Sequence, residues 1–143
     1  LMLGGAILGM NVHAACPEGF DPDHRVIKKA KRIAEDTGSS IEVTGSPEDA
    51  VEGADVIYAD TWVSMGDEEE KEKRLKIFRP YQVNMDLFKK AKGEAIFMHC
   101  LPAHRGQEVT DEVMDHKRSA VFDQAENRMH AQKAIMIRLA GLR

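Results

Sequence analysis

Three short segments of the sequence carry most of the side chains that could do chemistry. One runs Asp-Thr-Trp-Val-Ser-Met-Gly from Asp60, one runs His-Cys-Leu-Pro from His99, and one runs Glu-Asn-Arg-x-His from Glu126. An apolar stretch with the pattern of a short buried strand precedes each segment. Because ligands of open α/β sheets bind beyond the carboxyl ends of the strands, we predict that the three segments converge on one crevice.

The polar groups of these segments suit an amino acid together with a second, anionic reactant. Asp60 can hold an ammonium group by a charge-assisted hydrogen bond. Ser64 and the amide of Met65 lie just ahead of a predicted helix, where an α-carboxylate or another anion can bind. Cys100 can contact a neutral amine or a metal. Arg128 offers a planar fork for a phosphate or a carbonyl oxygen.

Each of these groups also has a purely structural interpretation. Asp60 could cap a helix, Cys100 could be a small core side chain, and His99 could be a hydrogen-bonded core histidine. A zinc site is a further alternative, but the spacing of its candidates matches no common zinc motif. Those candidates are His99, Cys100, His104 and His130.

The elements that must position these groups alternate between helix and strand. Strands are predicted over 11–15, 40–44, 55–59, 95–99 and 119–122, and helices over 1–9, 21–38, 46–51, 67–78, 84–93, 110–115 and 127–142. This order predicts a three-layer α/β/α fold, Rossmann-like, with a parallel sheet. Neither Gly-x-Gly-x-x-Gly nor a Walker-type loop occurs, which argues against a nucleotide binder. No linker interrupts the chain, so 1–143 is predicted to be one domain.

Composition narrows the class of protein. The chain has 143 residues, of which 20 are Lys or Arg and 24 are Asp or Glu, for a net charge of -4. This balance argues against a dedicated nucleic-acid partner, and no apolar stretch approaches the length of a membrane span. Cys16 and Cys100 lie far apart, which favours a reducing, cytoplasmic location over a disulfide framework. The apolar start lacks the basic region of a signal peptide and predicts a helix followed by a strand.

Taken in order, the three segments resemble the ornithine carbamoyltransferase family. The resemblance covers nearly the whole chain, including Ala-Asp-Val-Ile-Tyr ahead of Asp60 and His-Ala-Gln-Lys-Ala in the last helix. It is a resemblance to the second, ornithine-binding domain of that family. It implies transfer of a carbamoyl group from carbamoyl phosphate to the side-chain amine of L-ornithine, giving L-citrulline and phosphate in arginine metabolism.

The resemblance also implies a role for each residue that matches the motifs. Asp60 would contact the amino groups of ornithine, and Ser64 and Met65 would hold its α-amino and carboxylate ends. Cys100 would lie beside the attacking amine, and Arg128 would reach carbamoyl phosphate.

The remaining motif residues are implied to support that site. Leu101 would offer its carbonyl to the substrate, with a cis bond to Pro102, and His99 would play a supporting part. The family implies no metal or redox cofactor and a homo-oligomer, a trimer or a multiple of trimers. Whether Asp60, Cys100 or the departing phosphate takes the amine proton is left open.

Several features of the family are absent from this sequence. The Ser-Thr-Arg-Thr and His-Pro-x-Gln segments of the first domain are missing, and so is the first strand of the second domain. We therefore expect the chain to supply the ornithine half-site and to be inactive alone.

Three alternatives to ornithine transfer are weighed on the same residues. Putrescine carries no carboxylate, so the Ser64–Gly66 segment argues against a putrescine carbamoyltransferase. Aspartate carbamoyltransferases have Pro where Cys100 stands. A non-catalytic ligand-binding module remains a third alternative.

Overall fold

Helices and parallel strands alternate through the part of the chain that the computed structural model describes, residues 1–63 and 70–142. The chain divides into two compact units, Leu1–Glu52 and Gly53–Arg143. Each unit contains one pair of parallel strands and the helices around it. The predicted α/β class with parallel strands is confirmed.

The first unit begins with a short helix and contains two strands. Its elements are α1 (Met2–Ile7), β1 (Val12–Ala15), α2 (His24–Thr37), β2 (Ile41–Thr44) and α3 (Pro47–Val51). β1 and β2 are parallel, with Val12 opposite Ile41 and Ala15 opposite Thr44. Gly38 ends α2 in the left-handed conformation at φ 71°, which glycine adopts without strain.

The helix predicted over 21–38 begins later in the structure, at His24. Asp23 is the cap, because its carboxylate accepts the backbone N–H of Arg25 at 2.8 Å. The same carboxylate pairs with the Arg25 guanidinium at 2.7 Å. α2 therefore begins two residues after Pro22.

Small side chains form the core of the first unit. Ala6, Ala30 and Ala34 are buried together with Met2 and Ile41. Alanines let α1 and α2 approach closely, and the Thr37 hydroxyl donates to the Ala6 carbonyl at 2.8 Å. α1 also lies close to β1, and Gly5 makes this approach possible. A Cβ at Gly5 would lie 2.5 Å from Val12 Cγ2.

The second unit holds the three motif segments. Its elements are β3 (Val56–Ala59), α4 (Lys71–Phe78), a 3₁₀ turn (Arg79–Tyr81), α5 (Met85–Phe88), β4 (Ile96–His99), α6 (Asp111–Met114) and α7 (Val121–Leu139). β3 and β4 are parallel, with Val56 opposite Ile96 and Ala59 opposite His99. The side chains of Phe88, Phe97, Val109, Val113 and Val121 are fully buried. Each contributes about 1.5–3 kcal/mol of apolar burial.

The predicted strand 119–122 and the predicted helix start at 127 are wrong. Ser119 forms a single bridge with Phe97, and the Ala120 N–H donates to the Phe97 carbonyl at 2.8 Å. The backbone then turns directly into α7 at Val121. Ser119 is followed by only three apolar residues, and so short an apolar run fits a strand or a buried helix start equally well.

One further helix is shorter than predicted, and another has its predicted first residues, 67–69, outside the described part of the chain. The helix predicted over 84–93 ends at Phe88. The helix predicted over 67–78 is described from Lys71 onward. Among the described residues, no helix combines the length and apolar character that crossing a membrane requires.

Candidate active site

The carboxyl ends of β3 and β4 bring two of the predicted site residues together. Ala59 and His99 are paired in register, so Asp60 and Cys100 leave the strands side by side. The Cys100 thiol donates to Asp60 Oδ1 at 3.0 Å. The backbone N–H of Thr61 donates to the same oxygen at 2.8 Å. Parallel pairing thus joins two groups that are 40 positions apart in the sequence.

The surroundings of Cys100 favour a neutral thiol. Burial is the largest cause that raises its pKa, and the hydrogen bond to Asp60 and the negative charge of that carboxylate raise it further. The raised pKa favours the protonated thiol at neutral pH and disfavours a thiolate nucleophile. A neutral thiol beside an ionised carboxylate leaves one negative charge at the strand ends. Such a site suits a cationic or amine ligand.

His99 is buried behind Cys100 and orders the following turn. Its Nδ1 accepts the backbone N–H of Leu101 at 2.9 Å. That bond assigns the ring proton to Nε2, which lies 3.2 Å from Glu108 Oε1. The Nε2 contact is an electrostatic one, because its alignment falls short of a hydrogen bond. Both side chains are at most 1% exposed.

Glu108 is a buried carboxylate that the sequence analysis missed. Burial alone would raise its pKa, but the contact with the His99 ring and the hydrogen bond from the backbone N–H of His104 outweigh burial, and the net pKa is lowered. The His104 N–H reaches Oε1 at 2.5 Å. The carboxyl is therefore ionised at neutral pH, and its Oε2 has no hydrogen-bond partner among the described residues. No motif marks Glu108, so only its position four residues after His104 could have drawn attention to it.

The turn after Cys100 has an unusual backbone. Leu101 has a φ of 54°, in the left-handed region that side-chain-bearing residues rarely enter. Its bond to Pro102 is cis, as the family resemblance implied. The hydrogen bond from the Leu101 N–H to His99 holds this conformation. Strained backbone of this kind recurs at functional sites.

Arg128 lies well inside α7 and is exposed, rather than in the first turn of a helix as predicted. It makes no hydrogen bond with Asp60 or Cys100. One turn earlier on α7, Gln124 Oε1 accepts the backbone N–H of His99 at 3.1 Å. The segments that begin at Asp60 and His99 are thus in direct contact. The segment that begins at Glu126 is linked to them through Gln124, which lies just ahead of it on α7.

Ser64 and Met65 lie outside the described residues. Just ahead of them, Trp62 is buried and stacks on Phe78, with ring centroids 5.9 Å apart.

Within residues 1–63 and 70–142, no group of three or more His, Cys, Asp or Glu side chains is arranged to hold a metal ion. Cys16 and Cys100 are both free thiols.

Comparisons with known proteins show which family this chain is similar to. A family model described as aspartate/ornithine carbamoyltransferase, Asp/Orn binding domain, matches residues 1–139. The ornithine carbamoyltransferase of Methanothermobacter thermautotrophicus is 60% identical over 141 residues, which are 99% of this chain and 47% of that protein. The chain thus spans slightly less than half the length of this relative.

Solved structures agree in fold. The ornithine carbamoyltransferase from Pyrococcus furiosus has a TM-score of 0.90 at 57% identity, over 95% of this chain and 44% of that one. The anabolic ornithine carbamoyltransferase from Campylobacter jejuni has a TM-score of 0.92 at 34% identity, over 99% of this chain and 47% of that one. These matches confirm the predicted Rossmann-like α/β class.

Proposed function

This chain belongs to the aspartate/ornithine carbamoyltransferase family, and we propose that it supplies the ornithine-binding half of a carbamoyltransferase site. The reaction transfers the carbamoyl group of carbamoyl phosphate to the side-chain amine of L-ornithine, giving L-citrulline and phosphate. The observation that carries the proposal is the 3.0 Å contact between the Cys100 thiol and the Asp60 carboxylate at two paired strand ends. The similar proteins from Methanothermobacter thermautotrophicus and Pyrococcus furiosus are ornithine carbamoyltransferases, which supports the same activity.

The charge at the strand ends suits the acceptor. Asp60 is exposed and carries the negative charge, so it can bind an ammonium group of ornithine. Cys100 stays neutral and can lie against the uncharged side-chain amine without repelling it. Ser64 and Met65 are assigned to the α-amino and α-carboxylate groups.

The chemical step needs little from the protein beyond placement. The neutral amine nitrogen bonds to the carbamoyl carbon while the bond from that carbon to the phosphate oxygen breaks. The nitrogen loses a proton, which the departing phosphate or Asp60 can accept. Holding the amine and the carbamoyl carbon in near-attack geometry is the main source of rate in such a reaction.

The remaining site residues shape the turn that faces the substrates. His99 and Glu108 fix the conformation of Leu101, whose carbonyl is assigned to the substrate side together with Pro102. Arg128 is assigned to carbamoyl phosphate, because its planar guanidinium matches a phosphate oxygen pair.

To test the proposal, a chimaera is made in which the amino-terminal part of the Methanothermobacter relative precedes this chain. That part supplies the portion of the relative that this chain does not cover. Citrulline formation is measured with carbamoyl phosphate and ornithine, and carbamoylation of putrescine and of aspartate is measured in parallel. We expect turnover of ornithine by this chimaera and none by the 143-residue chain alone. Sedimentation of the chimaera should show a trimer or a multiple of trimers.

Two results would redirect the proposal. Preference for putrescine would overturn the assignment of Ser64 and Met65 to a carboxylate while leaving carbamoyl transfer intact. A folded chimaera that turns over no acceptor would show that the chain is a ligand-binding module instead. Cys100→Ser and Asp60→Asn chimaeras serve as site controls, and both should lose most of the activity with ornithine.

A further inference from the structure

The amino end of α7 is attached to β4 at two successive points. The Ala120 N–H donates to the Phe97 carbonyl at 2.8 Å. One turn later, Gln124 Oε1 accepts the His99 N–H at 3.1 Å. Because the two attachments are one turn apart, α7 is restrained against β4 more firmly than a single bond would restrain it.

The rest of α7 has no buried side chain to fix its direction. Val121 is fully buried, whereas every residue from Ala125 to Leu142 is exposed. The half-buried Gln124 is therefore the last side chain along α7 that holds the helix against the strand. Its Nε2 also donates to the Tyr58 hydroxyl at 3.1 Å, so the amide contacts both β3 and β4.

Arg128 follows Gln124 by four residues, which places it on the same side of α7 about 6 Å further along the axis. His99, the partner of Gln124, directly precedes Cys100. A change in the direction of α7 at Gln124 would therefore move Arg128 relative to Cys100. A shift of about 1 Å in a substrate-binding group can cost about a hundredfold in rate.

We propose that Gln124 is a positioning residue, which directs α7 through its bond to the His99 amide and thereby sets the position of Arg128 relative to Cys100. The inference rests on the proposed function, in which Arg128 binds carbamoyl phosphate. Gln124 itself touches no substrate. Its loss should therefore impair the use of carbamoyl phosphate more than the binding of ornithine.

The test uses three variants of the chimaera described above. Gln124→Met keeps the length of the side chain and removes the hydrogen bonds, whereas Gln124→Glu keeps an acceptor for the His99 N–H. Gln132→Met makes the same change on an exposed turn of the same helix. We expect Gln124→Met to lower kcat/KM for carbamoyl phosphate about tenfold or more, with the KM for ornithine changed less than about twofold. Gln124→Glu should recover most of the loss, and Gln132→Met should match the parent.

Hydrogen exchange at the His99 amide gives a readout that does not depend on activity. That amide should exchange faster in Gln124→Met than in the parent, and Gln124→Glu should restore its protection. Equal exchange, equal kinetics for Gln124→Met and Gln132→Met, or no rescue by Gln124→Glu would each overturn the proposal. If the parent chimaera turns over no acceptor, the proposed function fails, and the exchange data still decide whether Gln124 anchors α7.

Discussion

The Cys100 thiol lies against the Asp60 carboxylate, and the ionisation of the thiol reports on that contact. After burial, the hydrogen bond to Asp60 and the charge of Asp60 are the causes that raise the pKa of Cys100. Removing the charge in Asp60→Asn should lower the pKa of the thiol and increase its thiolate fraction. The pH profile of iodoacetamide alkylation, followed by mass spectrometry of the Cys100 peptide, measures this, and the variant should react several-fold faster at mildly alkaline pH.

Cys16 provides an internal control for that measurement. It belongs to the first unit, and its own pKa is raised by burial and by the charge of Asp21. Its alkylation rate should therefore be the same in both proteins. Identical pH profiles for Cys100 in the parent and in Asp60→Asn would contradict the role of Asp60.

Glu108 links stability to pH through its buried carboxylate. Because its pKa is lowered from the ordinary 4.5, the folded state binds fewer protons than the unfolded state, and stability rises with pH. The contribution of the carboxylate is present above about pH 4.5 and is lost as the pH falls through the folded-state pKa. Glu108→Gln should therefore lower the free energy of unfolding by about 1–2 kcal/mol at pH 7, and by less at pH 3.

Urea unfolding at several pH values measures this difference. Glu112→Gln is the matched control, because Glu112 is exposed on α6. A difference between Glu108→Gln and the parent that stays constant between pH 7 and pH 3 would show that the carboxylate charge is not the cause.

Among the elements, the loop that leads into β4 depends on one guanidinium. Arg118 Nη1 donates to the carbonyls of Lys92 at 3.3 Å and Ala95 at 3.1 Å, and to the carbonyl of Gly93. The same guanidinium lies 4.6 Å from the centre of the Phe88 ring. A lysine lacks the planar guanidinium that lies over the Phe88 ring, so Arg118→Lys should cost about 1–2 kcal/mol of unfolding free energy.

Thermal or urea denaturation of the variant checks that value. Arg138→Lys makes the same substitution at an exposed position of α7 and should leave stability unchanged within about 0.5 kcal/mol. Equal stabilities for the two variants would mean that the Arg118 contacts contribute nothing measurable.

Elements with strong local signals could be predicted from the sequence. Ser46 accepts the Asp49 N–H at 3.1 Å ahead of α3, and Asn84 accepts the Leu87 N–H at 2.9 Å ahead of α5. These caps act within one turn, so nearby residues suffice to identify them. The start of α7 could not be predicted, because its strand-like residues are turned into a helix by tertiary contacts with Phe97.

The difference between local signals and tertiary contacts also decides which site residues could be predicted. Asp60 and Cys100 could be brought together in prediction, because both follow apolar strands and parallel strands present their carboxyl ends at one edge. The part played by Glu108 depends on its burial beside His99, which no local pattern encodes. Gln124 escaped notice for the same reason, since its partner lies 25 positions earlier in the chain.

At the scale of the whole molecule, α7 presents an unusual amount of apolar surface. Phe122, Met129, Ile135, Met136, Ile137 and Leu139 are all exposed large hydrophobic residues of this one helix. Soluble monomers rarely expose contiguous apolar patches of this kind, which mark association sites or aggregation hazards. The helix should therefore dominate the solution behaviour of the 143-residue chain.

We expect the chain alone to self-associate through α7 and to bind a hydrophobic dye such as ANS. Replacing Ile135 and Leu139 together by Gln removes two of its exposed apolar side chains without changing the net charge, so the mean sedimentation coefficient and the dye fluorescence should both fall. The matched control replaces Ile7 and Leu8 by Gln, at the exposed end of the first unit. Because those two residues lie outside α7, that variant should sediment like the parent. A parent chain that sediments as a monomer at about 100 µM and binds no dye would show that the apolar side chains of α7 are too dispersed to form a continuous surface.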